Sequence, residues 1–205
     1  MAEAQPKAIL YDILFVDPSP HDAELAAAIA RTKPIIPLYF EVPGRGGGEV
    51  TTVMPQAALI RAGAVVGHAN LSPDADGVVR QTHLRAGGNG TIWPHVADLI
   101  VCRAQHTTCP SSAPVPGQHV VQEDPFYIPF RGNSDHYRQV PFSAVLEGSV
   151  PASFFKDRIV LVGSTTTSLG DSLATPLSKK QALMPGIELN ANIAQALVEG
   201  RSISP

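Results

Sequence analysis

At 205 residues the chain fits one large domain, long enough to bury a core without a disulfide or metal staple. Hydrophobic residues make up 44% and charged residues 16%, and the formal net charge of −3 comes without the basic stripe of a nucleic-acid binder. No apolar run approaches the roughly 18 residues of a membrane span, and the start, MAEAQPKAILYDILF, enters an apolar strand directly, which reads as a trimmed beginning and not as a signal peptide.

Ala8 to Val16 is apolar and β-rich, broken only by Asp12, and predicts a buried strand. PSPHD follows as a turn in which Asp22 can cap a helix, AELAAAIART. PIIPLYFEV predicts a second strand, placed near an edge or restricted in its pairing by Pro34 and Pro37. The glycine-rich Pro43–Val50 stretch predicts a solvated loop, because no helix with phosphate-binding spacing follows it. PQAALIRAG predicts a short helix closed by Gly63, and AVVGHANL a third strand. Strand and helix alternation over this first third argues for a largely parallel sheet with covering helices.

The pattern then changes. Asp74 to Gly77 predicts a tight turn, followed by the alternating VVRQTHLR of an antiparallel strand. IWPHVADLIVCRAQ predicts an amphipathic helix with Trp93 on its apolar side, and residues 107–119 a surface excursion. FYIPFRG predicts another strand, FSAVLEG a short helix ending at Gly148, and GIELNANIAQALVEG a closing helix. The fold class expected is α/β: a mixed, mostly parallel sheet flanked by helices, with an antiparallel portion.

Two chemical signals need weighing. Cys102 and Cys109 fit either a local disulfide or two free thiols; adding His106 and His95 as zinc ligands gives the wrong spacing for a metal site. IVLVGSTTTSLGDSLATPL resembles a phosphate cradle in its strand, glycine and hydroxyls. However, Gly170 is followed by Asp171 and Ser172, not by the lysine that reaches terminal phosphates, so the charge has the wrong sign. Gly163-Ser164 also lacks the second glycine of a nucleophile elbow.

The same residues carry a resemblance. FKDRIVLVGSTTTSLGDSLATPL followed by MPGIELNANIAQALVEG resembles the C-terminal half of a type-two CHASE domain, whose name abbreviates cyclases/histidine-kinases-associated sensing extracellular. AILYDILFVDPSPHDAELAAAI resembles that family's Tyr-Asp-x-x-Phe strand and following helix. DADGVVR is similar to its Asp-Gly-Val-x-Arg turn, and IPFRG with FSAVLEG to its mid-domain strand and helix. Asn190 stands where members commonly have His, and members usually carry a further segment before the Tyr-Asp strand.

The resemblance implies one extracytoplasmic sensor domain over residues 8–200, with 1–7 and 201–205 as linker ends. It implies a periplasmic location in an inner-membrane protein with flanking transmembrane helices. The output module, a diguanylate or adenylate cyclase, a phosphodiesterase or a kinase, then lies outside this chain, which is itself no enzyme. No cofactor and no nucleic acid are called for; the partners expected are an unidentified small-molecule or ion signal and a second copy in a homodimer.

In open α/β sheets, ligands favour the crevice beyond the carboxyl ends of the strands. If the first strand and the late Ile159–Gly163 strand are neighbours, Asp17, Ser164, Thr165 and Asp171 converge as a pocket suited to a cation, amine or polyol. The same residues also satisfy turns and loop backbone in many proteins. Asp12, inside an apolar strand, needs a partner such as Arg80 or a loop amide. Gly77, Gly163, Pro176 and Gly186 are structural, and no metal ligand is assigned. The rival expectation is a small metal-dependent hydrolase using Asp12, Asp17 or Asp171.

Overall fold

In the computed structural model, residues 2–41, 50–117, 119–166, 172–178 and 183–203 are described. The expected glycine-rich loop, Pro43–Val50, lies outside them except for Val50. In chain order the elements are β1 (Ala8–Asp12), α1 (Asp22–Thr32), β2 (Ile35–Glu41), β3 (Thr51–Val53), α2 (Ala57–Arg61) and β4 (Val65–His68). They continue with β5 (Gln81–Gly88), β6 (Thr91–Pro94), α3 (Val96–Ala104), β7 (Ala113–Pro114), β8 (Val121–Tyr127) and α4 (Phe142–Leu146). A 3-10 turn, Ala152–Phe154, leads into β9 (Ile159–Gly163), β10 (Ser172–Leu173), β11 (Met184–Pro185) and α5 (Gly186–Val198).

The main sheet is mixed and mostly parallel. β4, β2, β1 and β9 lie side by side in that order, all parallel, and β3 runs antiparallel to the end of β2. Alternate residues of the inner strands face opposite layers, as the period of two demands. Leu10 and Ile35 pack with α3 and α5 on one face, while Tyr11 and Ile36 join Ile29 of α1 and Leu59 of α2 on the other. A second sheet, antiparallel in the order β7-β6-β5-β8, carries the expected antiparallel portion.

Three expectations need correction, and for β2 the second of its two alternatives holds. β1 stops at Asp12, and the next residues, Ile13, Leu14 and Val16, are about 40% exposed in a loop. β2 is internal. Its even-numbered carbonyls face β4, as Val65 N–H to the Pro34 carbonyl and Ala69 N–H to the Leu38 carbonyl show, so Pro37 turns its missing donor toward β1. There the β1–β2 register is confined to Leu10 with Ile35, so the proline restricts pairing without making an edge. Trp93 belongs to strand β6, and the helix begins only after His95, whose Nδ1 accepts the Ala97 N–H (3.1 Å) as its N-cap. Of the strand expected at FYIPFRG only Phe126 and Tyr127 are strand: β8 runs Val121–Tyr127, and Ile128 to Gly132 lie beyond it.

The two sheets meet at a histidine pair. His68 ends β4, His95 follows β6, and the two form a parallel bridge with ring centroids 4.9 Å apart, edge to face. Both are fully buried, and among the described residues neither nitrogen of His68 nor Nε2 of His95 meets a partner at full hydrogen-bond geometry. Burial lowers both pKa values, that of His95 to about 3. Cys102 and Cys109 form a disulfide that ties the end of α3 to the strand-poor segment after it.

Candidate functional site

The strand order reverses beside β1: the chain steps from β1 out to β2 and β4, then returns to lay β9 on the other flank. The topological switch point is therefore between β1 and β9, whose registers run from Ala8 with Ile159 to Asp12 with Gly163. The two loops singled out by sequence do leave the sheet side by side. Gly163 sits in a tight spot there: a Cβ would come within 2.8 Å of Ile187 Cδ1 and 3.1 Å of Asp12 Cβ.

From that point a groove of about 710 Å³ opens and runs back along β9. Its floor is β9, all five residues of which are partly exposed; among the described residues β9 pairs with β1 alone. Phe142 and Val145 of α4 make one wall, Phe154 and Phe155 of the 3-10 turn close the amino-terminal end, and Ile187, Glu188 and Ala191 of α5 form the other side. Ile13 and Thr165 lie at the carboxyl end. The lining is mainly apolar, with two cations on its rim: the Arg138 and Arg158 guanidinium carbons sit 4.6 and 4.9 Å from the centroid of the Phe154 ring. Neither has a carboxylate partner among the described residues.

Helix α5 holds the outer wall in place. Glu188, in its first turn, accepts the Asp135 N–H on both carboxylate oxygens (3.0 Å each) and the Gln139 amide at 2.8 Å. Burial pushes the Glu188 carboxyl up, and the Asp135 N–H pulls it partly back. Asn192 accepts the Arg131 N–H (3.0 Å), and Glu199 is bonded to the Arg131 side chain. Tyr137 donates its hydroxyl to Gln195 Oε1 (2.8 Å), and burial carries that phenol to about 12. The 131–139 segment is thus clamped onto one helix by polar contacts.

Of the residues selected by sequence, Thr165 lines the groove, and Ser164 beside it accepts the Thr166 N–H (3.2 Å) in a loop turn. Asp17 stands elsewhere, exposed, its carbonyl accepting the Gln56 amide (2.7 Å) near α2. Asp171 lies outside the described residues. Asp12 meets Asn190 of α5, whose Nδ2 donates to its carboxylate (3.1 Å), and not Arg80. Arg80 is taken by its own turn, pairing with Asp74 and Asp76 at 2.7 Å each; a local pair six or four residues away forms at less entropic cost than one across the sheet. Gly77 shapes that turn with φ +81°. Pro176 sits in a turn closed by the Ser178 N–H to the Thr175 carbonyl (2.9 Å), and buried Gly186 opens α5.

Arg138, Arg158, Phe154 and Glu188 did not emerge from the sequence. The available signal was an arginine directly before an apolar strand with no charge of its own. Among the described residues no three His, Cys, Asp or Glu side chains are placed to hold one metal ion.

Comparison with protein families matches the CHASE2 domain, the type-two CHASE family, over residues 1–204. No curated protein and no solved structure matches the chain.

Proposed function

The chain belongs to the CHASE2 domain family of extracellular sensing domains, and from that premise we propose that it is the ligand-sensing module of a transmembrane signalling protein, binding its signal in the groove beside β9. Its output module, a cyclase, phosphodiesterase or kinase, lies outside these residues in this reading, as do the flanking membrane helices. The observation that carries the proposal is that one end of the groove, at Ile13, Gly163 and Thr165, opens at the β1–β9 switch point, where α/β sheets bind ligands. α5 forms one wall of the groove and also grips Asp12 and the 131–139 segment, so a ligand there changes the contacts of a whole helix. An extracytoplasmic location is supported by the Cys102–Cys109 disulfide, since such bonds persist in oxidising compartments. Among the described residues no helix is long and apolar enough to cross a membrane.

A thermal-shift screen of small metabolites and ions tests the proposal, because a ligand bound to the native state raises the melting temperature. Hits should stabilise the wild type and fail on Ala191→Trp and Thr165→Trp, which intrude from the α5 side and from the carboxyl end of the groove. Hits that persist in both variants place the ligand elsewhere. Metal-dependent hydrolysis lost in Asp12→Asn or Asp17→Asn would instead establish the hydrolase alternative.

A further inference from the structure

Resting on the groove reading above, we propose that the occupant is an extended peptide ending in a free carboxylate, added to β9 as an antiparallel strand with that carboxylate between Arg138 and Arg158.

The first observation is the edge itself. Exposed edge strands are normally blunted by a lysine, a proline, a bulge or a covering element, because their unpaired N–H and C=O groups are a template for another strand. Ile159–Gly163 carries none of the first three, and among the described residues nothing hydrogen-bonds its outer side. Five strand residues offer roughly 16 Å of template at about 3.3 Å per residue. A groove of about 710 Å³ gives such a strand room for side chains on both faces. Strand addition to an open edge is a recurring way of binding peptides, with main-chain bonds supplying affinity and flanking pockets selectivity.

The second observation is the charge at one end only. Arg158 directly precedes Ile159, and Arg138 shares the Phe154 ring with it, so the two guanidiniums mark the amino end of β9. A parallel incoming strand would bring its own positively charged amino terminus to that end. An antiparallel strand brings its carboxylate, for which paired guanidiniums are the natural charge-assisted partners. The polarity of the guest thus follows from the charge of the host.

A second copy fits less well. Two β9 strands paired about a two-fold axis set Arg158 of each against the Gly163 end of the other, where the described residues Ser164 and Thr165 are neutral and the nearby carboxylates, Asp12 and Glu188, are already engaged by Asn190 and by Asp135 and Gln139 of their own chain. Neither arginine pair then gains a free carboxylate.

The test uses this chain and a fluorescent hexapeptide of alternating threonine and valine, followed by anisotropy. The free acid should bind at least tenfold more tightly than its C-terminal amide. Arg138→Gln with Arg158→Gln should bring acid and amide within twofold of each other. N-methylation of alternate residues should abolish binding in one alternation and leave it within twofold in the other, since only one side of an added strand faces β9. Equal binding of acid and amide to the wild type overturns the proposal, as does equal tolerance of the two methylation patterns. An amide whose last residue is aspartate binding as tightly as the free acid also overturns it, by moving the carboxylate to a side chain. Sedimentation as a dimer that the peptide cannot dissociate gives the edge to a second copy. If no peptide binds but screened metabolites are lost with Ala191→Trp and Thr165→Trp, the peptide assignment falls while the groove remains the sensing site. Metabolite binding indifferent to both variants removes the groove reading as well.

Discussion

The parallel sheet has two edges, and the chain treats them differently. The β4 edge is covered by the second sheet, leaving only a small cavity of about 180 Å³ beside His68 and Asn70. β4 is bridged to the second sheet through His68 and His95, and Asn70 clips the end of β2 by accepting the Phe40 N–H and donating to its carbonyl (2.9 Å each). Gly67 lets the layers approach so closely that a Cβ would meet Leu99 Cδ1 at 2.6 Å and the Pro94 carbonyl oxygen at 2.7 Å. At the β9 edge the strand is half-exposed and α4 has no buried residue, with Phe142 and Leu146 standing 63% and 73% exposed. One flank is built as interior, with its polar groups mostly clipped and its apolar groups packed. The other keeps apolar surface and backbone hydrogen-bonding capacity in reach of a partner, which costs stability that the closed flank supplies.

If that division holds, damage at the closed edge must be expensive. Leu99, 1% exposed and wedged against Gly67, should cost about 2–5 kcal/mol when changed to alanine, from lost transfer energy plus the cavity left behind. Urea unfolding measures this directly, and a loss below about 1 kcal/mol would mean that the two sheets are not jointly packed there.

The histidine junction makes the same edge sensitive to acid. His95 has its folded pKa lowered to about 3, against an ordinary value of 6.5, and His68 is lowered by burial, then by His95 and His83. A group with a depressed folded pKa binds its proton more readily when unfolded. Stability is therefore full above the unfolded value and declines as pH falls from 6.5 toward 3. For His95 alone the loss reaches about 2 kcal/mol at pH 5. Unfolding measured between pH 7.5 and 4.5 should show that slope, and His95→Asn, which preserves an N-cap acceptor without the titration, should make it shallower, leaving the part that His68 contributes.

Smaller still is the clip. Asn70→Ala removes both partners of the Phe40 main chain and should cost about 1–2 kcal/mol, at about 1 kcal/mol per bond lost. Its pH dependence should match the wild type, which separates the clip from the histidines beside it.

Much of the fold was legible in the sequence because it is written locally. Strand and helix periods, the stop at Gly63 and the Asp74–Gly77 turn depend on neighbours a few residues away. Failures came where distant pairing decides. TIWP is too short and too mixed to distinguish a strand from the helix that follows; it becomes β6 only because β5 lies beside it. The β1–β9 neighbourhood joins segments about 150 residues apart, so sequence could state the switch point only as a condition. Asp12 drew attention correctly as a carboxylate needing a partner, yet that partner, Asn190, stands 178 residues away, while Arg80 answers to its own turn. The open edge left no local trace at all. An apolar run reads as interior, and only the identity of its flanking strands shows that, among the described residues, one side of β9 is bare.

The open edge gives the smallest stability effect and the clearest contrast. Leu146→Ser and Phe142→Ser alter side chains that are mostly in water already, so each should change unfolding free energy by no more than about 0.5 kcal/mol. Fold stability and groove occupancy then separate: Phe142 walls the groove and Leu146 does not line it. Phe142→Ser should weaken an extended guest several-fold, Leu146→Ser should leave it within twofold, and both should melt like the wild type. A Phe142→Ser protein that loses more than about 2 kcal/mol would show α4 to be part of the core, and the two edges would then be alike in kind.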